Sequence, residues 1–407
     1  MIGKYIKRKI FLKASKKLKK LSDKFLKKAL KINDEIASFE TREWTSAHAD
    51  IQHINEKVLK NDGKKRVLVL ELNDFHGAVY PNFVIYFNKL GYEVDLLQTF
   101  GNNVKMECMC RVPKSIFRMY TGIVFDIYKF LNREEISQHY DYIFYHTTFT
   151  GEKQSVFSVL KGIPSGKYGA FLLEHNPIPN IEVFHEKYFI EQEMLFTLGG
   201  QENTRKVSCT QMGDVKVKHN LNKAINFLLV GAITKDNKDF EKLFNGIHYL
   251  IEKGFKNFYV TIVGPGNINV SEDIAPFVHL KGFLTYPAMY EVAEKSDFML
   301  GMFSSDNEKH HKYLDNWYSG LRCLSLQFRK PIIIEKAFAE FYDVTSENGI
   351  VYEHFEKALL KAMTMSQDEY KNMVLATEKT CEELEQNSLE TLKEMISYRE
   401  SLYNKDS

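Results

Sequence analysis

The sequence predicts an α/β protein: two doubly wound domains facing a cleft, preceded by a basic amphipathic helix. Three observations carry this. Short, β-branched apolar runs alternate with helical patterns from about residue 61, and the alternation restarts after about residue 222. A length of 407 residues, with 44% hydrophobic and 27% charged side chains, suits two or three globular domains and excludes a disordered or fibrous chain. The formal net charge of +2 joins two opposite parts. Residues 1–31 hold thirteen Lys or Arg against the single acid Asp23, a net of +12, which leaves −10 for the rest.

The first element follows from periodicity. Ile6, Ile10, Ala14, Leu18, Leu21, Phe25, Ala29 and Ile32 recur every three or four residues, an apolar stripe on a helix otherwise covered with lysines. Such a helix suits an anionic membrane surface, where each Lys contributes about 1 kcal/mol. Docking on the acidic body is the alternative, and a body at −10 argues against nucleic acid as the partner. A second, mixed-charge helical stretch covers about 33–60 and ends at Asn61-Asp62-Gly63. Residues 1–60 therefore read as a helical N-terminal segment.

The core starts at 66–72, R-V-L-V-L-E-L, an apolar run of the kind a buried parallel strand shows. A turn with Gly77, a helix over 81–90, Gly91 and a strand over 92–97 complete a βαβ unit. Further strands are expected at 141–146 and 170–174. In the second half, strands are expected at 226–230, 257–263, 278–280, 297–302 and 331–334. Helices are expected at 240–253, 288–295, 316–328 and, acid-rich, about 356–402. The implied layout is one domain over 61–215, a second over 216–375, and a C-terminal helix, 376–407, packing back on the first.

Several chemistries are absent from the sequence. Five cysteines do not make a disulfide framework, and Cys108-x-Cys110 has no second pair at zinc spacing. Gly162 to Lys167 is one residue short of a phosphate loop and is followed by Tyr168 rather than Ser or Thr. No two aspartates stand two positions apart, so the Asp-x-Asp metal signature is missing. The longest uncharged run, 257–271, is broken by Gly264-Pro265-Gly266, and lysines bracket Ile10-Phe11-Leu12. The chain is expected in the cytoplasm, held peripherally at the inner face of the membrane.

In open α/β sheets ligands bind beyond the carboxyl ends of the strands. In the first half, Asp74 and His76 follow the first strand, and His146 and His175 end two later ones. A His paired with an acid at such an edge is suited to deprotonating a hydroxyl acceptor. In the second half, Gly231 ends a strand and Lys235 and Lys238 precede a helix, a combination that holds phosphate through backbone N–H groups and a point charge. Gly264 ends the next strand. Ser319 is placed to cap a helix whose first residue, Gly320, lets a phosphate approach the backbone. His310-His311, with acids nearby, read as a loop rather than a metal site, because adjacent side chains diverge.

Taken in order, Val230-Gly231, Lys238-Asp239-Phe240, I-V-G-P-G at 262–266, L-K-G-F at 280–283, Y-x-x-A-x-x-S-D-F at 290–298 and K-P-I-I-I at 330–334 resemble the donor-binding domain of GT-B glycosyltransferases, particularly the group 1 type. The resemblance covers about residues 226–350 and implies two Rossmann-like domains. It implies that Gly231 and Lys238 face the donor diphosphate, Gly264 lies under the nucleotide, Phe283 lies near the base, and Ser319 and Gly320 meet phosphate or sugar. His146 and His175 stand where such enzymes carry cleft histidines. The chain departs from the pattern at Ala232, where the family often has Arg, and in lacking a pair of glutamates before the K-P strand. The expected activity is metal-independent transfer of a sugar, without a cofactor, from a nucleotide-sugar to a hydroxyl of a glycan or lipid-linked glycan. The alternatives are a glycerophosphotransferase, a sugar-nucleotide epimerase, and a non-catalytic membrane-associated scaffold.

Overall fold

The computed structural model describes residues 48–50, 63–72, 77–99, 107–122, 124–147, 163–175, 194–200, 204–314 and 319–406. The basic helix expected over 1–31 lies outside them. Of the helix expected over 33–60 only His48–Asp50 is described, and this triplet is a strand, β1, not a helix. Residues from Ala49 onward form one unit.

Seven strands from Arg66 onward build the first sheet: β2 (Arg66–Glu71), β3 (Glu93–Thr99), β4 (Phe117–Gly122), β5 (Tyr142–Tyr145), β6 (Gly169–Glu174), β7 (Leu195–Thr197) and β8 (Arg205–Lys206). They lie in the order β4-β3-β2-β5-β6-β7-β8, each parallel to its neighbours. Every residue of β2 and β5 is buried, which is why those segments read as unbroken apolar runs. Helix α1 (Tyr80–Lys89) carries Pro81 in its first turn and stops before Gly91, whose φ of 86° suits only glycine at low cost. Two helices absent from the sequence reading, α2 (Val124–Leu131) and α3 (Glu134–His139), link β4 to β5. The charges inside this sheet are paired. Asp95 on β3 takes two hydrogen bonds from Arg118 on β4, at 2.7 and 2.8 Å, and one from the Tyr140 hydroxyl at 2.7 Å.

The second sheet contains β9 (Ile225–Val230), β10 (Phe258–Val263), β11 (Val278–Gly282), β12 (Phe298–Gly301), β13 (Ile332–Glu335) and β14 (Gly349–Tyr352), in the order β11-β10-β9-β12-β13-β14, again all parallel. Its helices are α4 (Phe240–Glu252), α5 (Tyr286–Lys295), α6 (Gly320–Phe328), the short α7 (Lys336–Ala339) and α8 (Phe355–Thr364). Phe227, Leu229, Ile262, Leu300 and Ile333 form one core with Leu243, Ile247 and Leu250 of α4 and Leu359 of α8. Gly246 lets α4 and α8 close on each other, since a Cβ there would stand 2.8 Å from the Leu359 and Phe355 side chains.

The acid-rich stretch near the C-terminus is two helices, not one. Ser366 and Glu369 form a capping box that starts α9 (Gln367–Asp406): the Ser366 N–H and hydroxyl both donate to Glu369, and the Glu369 N–H donates back to Ser366 Oγ. At 1.5 Å per residue, α9 is about 60 Å long. Its start joins the second core through Tyr370, Met373 and Val374. Farther along, the Ser208 N–H donates to Ser388 Oγ (2.9 Å), the Tyr142 hydroxyl to the Ile396 carbonyl (3.2 Å), and Arg399 Nε to the Tyr168 carbonyl (3.1 Å). One helix thus packs on both sheets.

Candidate functional site

Strand order reverses beside β2 in the first sheet and beside β9 in the second. Ligand crevices in such sheets open at these reversals, at the carboxyl ends of the strands. The two crevices are built differently.

At β2/β5 the crevice floor is filled by side chains. Glu71 ends β2 and His146 follows β5, both with fully buried side chains, and His146 Nδ1–H donates to Glu71 Oε2 at 2.9 Å. The Thr147 hydroxyl donates to the same oxygen at 2.7 Å. The His146 ring meets Tyr80 edge-on at 4.5 Å between centroids and His175 at 5.2 Å. Burial pushes His146 down to about 3, so near neutral pH the ring is uncharged. His175, 3% exposed, lies with Nε2 3.2 Å from the His146 carbonyl, to which it donates. The two histidines therefore come together as expected, with the His146 side chain fully buried. Its hydrogen bond to Glu71 ties β5 to β2, the strand leading into Asp74 and His76. Those two residues lie outside the described ones.

At β9/β12 the strands end in closely packed glycine backbone beside a buried cation. Gly231 follows β9 with φ 118°, and Gly264 follows β10. A Cβ on Gly264 would stand 1.9 Å from the Gly231 carbonyl oxygen, so only glycine permits this crossing. A Cβ on Gly231 would stand 3.8 Å from Lys238 Nζ, which places Gly231, Gly264 and Lys238 in one cluster. The local sequence directs Lys238 inward. Asp239 caps α4, accepting the Lys242 N–H at 3.0 Å, while its own N–H donates to the Met302 carbonyl beyond β12 at 2.9 Å. Lys238 sits one residue before that cap, 8% exposed, with Nζ 5.0 Å from the centre of the Phe303 ring. Among the described residues no carboxylate pairs with it. Burial alone pushes its ammonium down to about 8. A cation over a desolvated ring recovers about 2 kcal/mol, against a cost of several kcal/mol for burying an ammonium without a countercharge.

The remaining expected residues occupy the rim. Gly264 N–H donates to the Gly282 carbonyl at 2.9 Å, next to Phe283, which is 73% exposed. Ser319 caps α6: its Oγ lies 3.5 Å from the Arg322 N–H and accepts the Tyr342 hydroxyl at 2.7 Å. Gly320 opens α6 with empty space where a Cβ would lie, so sterics do not demand glycine there. Tyr342 in turn packs against Phe303 at 5.6 Å, which links the Ser319 cap to the Lys238 cluster. Phe303, Tyr342 and Glu71 were missed by sequence reasoning. None falls in a motif, and only the strand ends nearby pointed toward them.

The K-P motif has a structural explanation. Lys330 is fully buried, and its ammonium donates at 2.8 Å to the carbonyls of Glu294 and Ser296, capping the C-terminus of α5. Nearby contacts join the two halves. Gln327 Nε2 donates to the Ala78 and Gln211 carbonyls at 3.0 and 3.1 Å, Arg329 to the Thr210 carbonyl at 2.6 Å, and Arg111 to Glu294 at 3.0 Å.

No protein-family model matches the chain, and no curated protein sequence matches it. Among solved structures it is similar to AviGT4, a glycosyltransferase involved in avilamycin A biosynthesis, with a TM-score of 0.50 and 10% identity, over 82% of this chain and 98% of that one. It also aligns with an α-glucosyltransferase solved with UDP and a 13-mer DNA (TM-score 0.47, 14% identity, 81% and 95% covered). A third is WaaG, a glycosyltransferase involved in lipopolysaccharide biosynthesis (TM-score 0.40, 13% identity, 83% and 98% covered). At such identities the likeness is one of fold, and it rests on the first of the three. With two parallel doubly wound sheets, this chain has the GT-B fold.

Proposed function

We propose that this protein is a glycosyltransferase that moves a sugar from a nucleotide-sugar to a hydroxyl of a glycan or lipid-linked glycan. The observation that carries the reading is Lys238, a buried ammonium at the β9/β12 reversal beside two glycines, with no carboxylate paired to it among the described residues. A diphosphate there supplies the missing countercharge, and the cation stabilises the charge that develops on the leaving diphosphate. In this reading no metal is needed, because Lys238 and the backbone beside Gly231 meet that charge. Phe283, exposed at the end of β11, offers a flat apolar surface to the base, and the Ser319 cap faces phosphate or sugar. With His146 buried, Asp74 and His76 are the candidates for the base that takes the acceptor proton. The basic stripe over residues 1–31 would hold the cleft at an anionic membrane surface, where lipid-linked acceptors are found.

The test is product release. With a panel of nucleotide-sugars and a lipid-linked or glycan acceptor, nucleoside diphosphate is expected only when both substrates are present, and equally in EDTA. Release of nucleoside monophosphate, such as CMP from CDP-glycerol, or epimerised donor without acceptor, contradicts the reading. For the membrane partner, deletion of residues 1–31 is expected to abolish sedimentation with anionic vesicles at physiological salt. Undiminished sedimentation would put the contact elsewhere.

A further inference from the structure

Residues 302–305, just past β12, belong to no helix or strand, yet nearly every backbone polar group there has a partner. The Met302 carbonyl accepts the Asp239 N–H (2.9 Å), and the Phe303 carbonyl accepts Lys242 Nζ (3.2 Å). The Ser304 N–H donates to His310 Nδ1 (3.0 Å), and its carbonyl accepts the Asn307 N–H (3.1 Å). The Ser305 N–H donates to Glu335 Oε1 (3.0 Å), and its carbonyl accepts His311 Nε2–H (2.7 Å). Side chains of Lys242, His310, His311 and Glu335 thus do for this loop what a ladder does for a strand. The loop delivers the Phe303 ring, 1% exposed and packed against Tyr313, Phe338 and Tyr342, to Lys238 Nζ.

We propose that His310 is a positioning residue for the Lys238 site: as an acceptor it fixes Ser304, and through Ser304 the Phe303 ring on which the ammonium rests. The inference depends on Lys238 being the anion contact proposed above. His310 lies in the short 3-10 helix Glu308–Tyr313 that follows the loop, is fully buried, and stands 6.1 Å from Phe303 between ring centroids. To accept from the Ser304 N–H its Nδ1 must be unprotonated, and burial favours that neutral form. Asp239 pulls the other way, while Lys238, Lys312 and Lys242 reinforce neutrality. The adjacent histidines are therefore explained as two opposed hydrogen bonds to one loop, Nδ1 of the first to an N–H and Nε2 of the second to a carbonyl.

The experiment is calorimetric titration of full-length protein with inorganic pyrophosphate at pH 7.5. The variants are Lys238→Ala, His310→Ala, His310→Asn and His310→Gln. An Asn oxygen falls near the position of Nδ1, and a Gln oxygen near that of Nε2. His310→Ala and His310→Gln are expected to weaken pyrophosphate about tenfold, and His310→Asn to stay within about threefold of wild type. A defect confined to overall stability would not discriminate Asn from Gln in this way. If His310→Ala does not fold, the Asn–Gln pair alone decides, and equal affinities overturn the inference. Wild-type affinity in His310→Ala, with binding lost in Lys238→Ala, overturns the role of His310 but leaves the anion site standing. Unchanged affinity in Lys238→Ala overturns the anion site, and this inference falls with it.

Discussion

The two halves of the molecule share one topology and use its reversal point in opposite ways. Beside β2 side chains meet at the strand ends: His146 and Thr147 both donate to Glu71, and Tyr80 packs edge-on against the His146 ring. Beside β9 the same place holds glycine backbone and the buried Lys238 ammonium, which no carboxylate among the described residues pairs. The hydrogen bonds that His146 and Thr147 donate to Glu71 tie β5 to β2. A buried ammonium without a carboxylate partner among the described residues costs stability. The difference shows that a strand-end residue acquires meaning from what the neighbouring strand places against it, since His146 and Lys238 were equally plausible site residues from their positions alone.

The largest effect expected from breaking this contrast is at Gly264. Gly264→Ala drives a methyl into the Gly231 carbonyl and is expected to destabilise the protein by about 2–4 kcal/mol in chemical denaturation. A cost below about 0.5 kcal/mol would mean that the β9 and β10 turns do not cross as described.

Next in size is His146. His146→Asn, which keeps a donor for Glu71, is expected to hold kcat within about threefold in the proposed transferase reaction. A true general base would lose about 10²–10⁴-fold, and such a loss would restore His146 as catalyst.

A smaller effect is pH dependence. The buried His146 has its pKa depressed in the fold from an ordinary value of about 6.5. The unfolded chain therefore binds more protons between about pH 6.5 and 3. The stability that comes from keeping the ring neutral is fully present above 6.5 and is lost as pH falls through that window, by at most about 1.4 kcal/mol per pH unit. His146→Asn is expected to flatten this part of the profile; an unchanged slope would contradict the neutral, buried ring.

How far the sequence could be read follows from the same contrast between local and distant partners. β2, β5, β9, β10 and β13 are buried runs, so their apolar composition announces them. β8 is two exposed basic residues, Arg205 and Lys206, recognisable only by pairing with β7. β4 carries Arg118, whose partner Asp95 lies on another strand, so no local pattern marks it. In the site, the glycine turns and Lys238 were legible because their chemistry is local: a strand end, a positive φ, a cation before a helix cap. Phe303, Tyr342 and the hydrogen bond of His310 were not, because three separate loops bring them together.

The most direct measurement is titration of UDP, GDP and ADP into wild-type protein and Lys238→Ala. Hydrogen bonds to a charged group contribute about 1.5–3 kcal/mol, so at least one of these nucleotides is expected to bind wild type about 10- to 100-fold more tightly than the variant. The unliganded variant is expected to melt no lower than wild type, since it removes a buried charge rather than a satisfied contact. Equal affinity for a nucleoside diphosphate that does bind, or a variant that melts well below wild type, would contradict an anion site at the β9/β12 reversal.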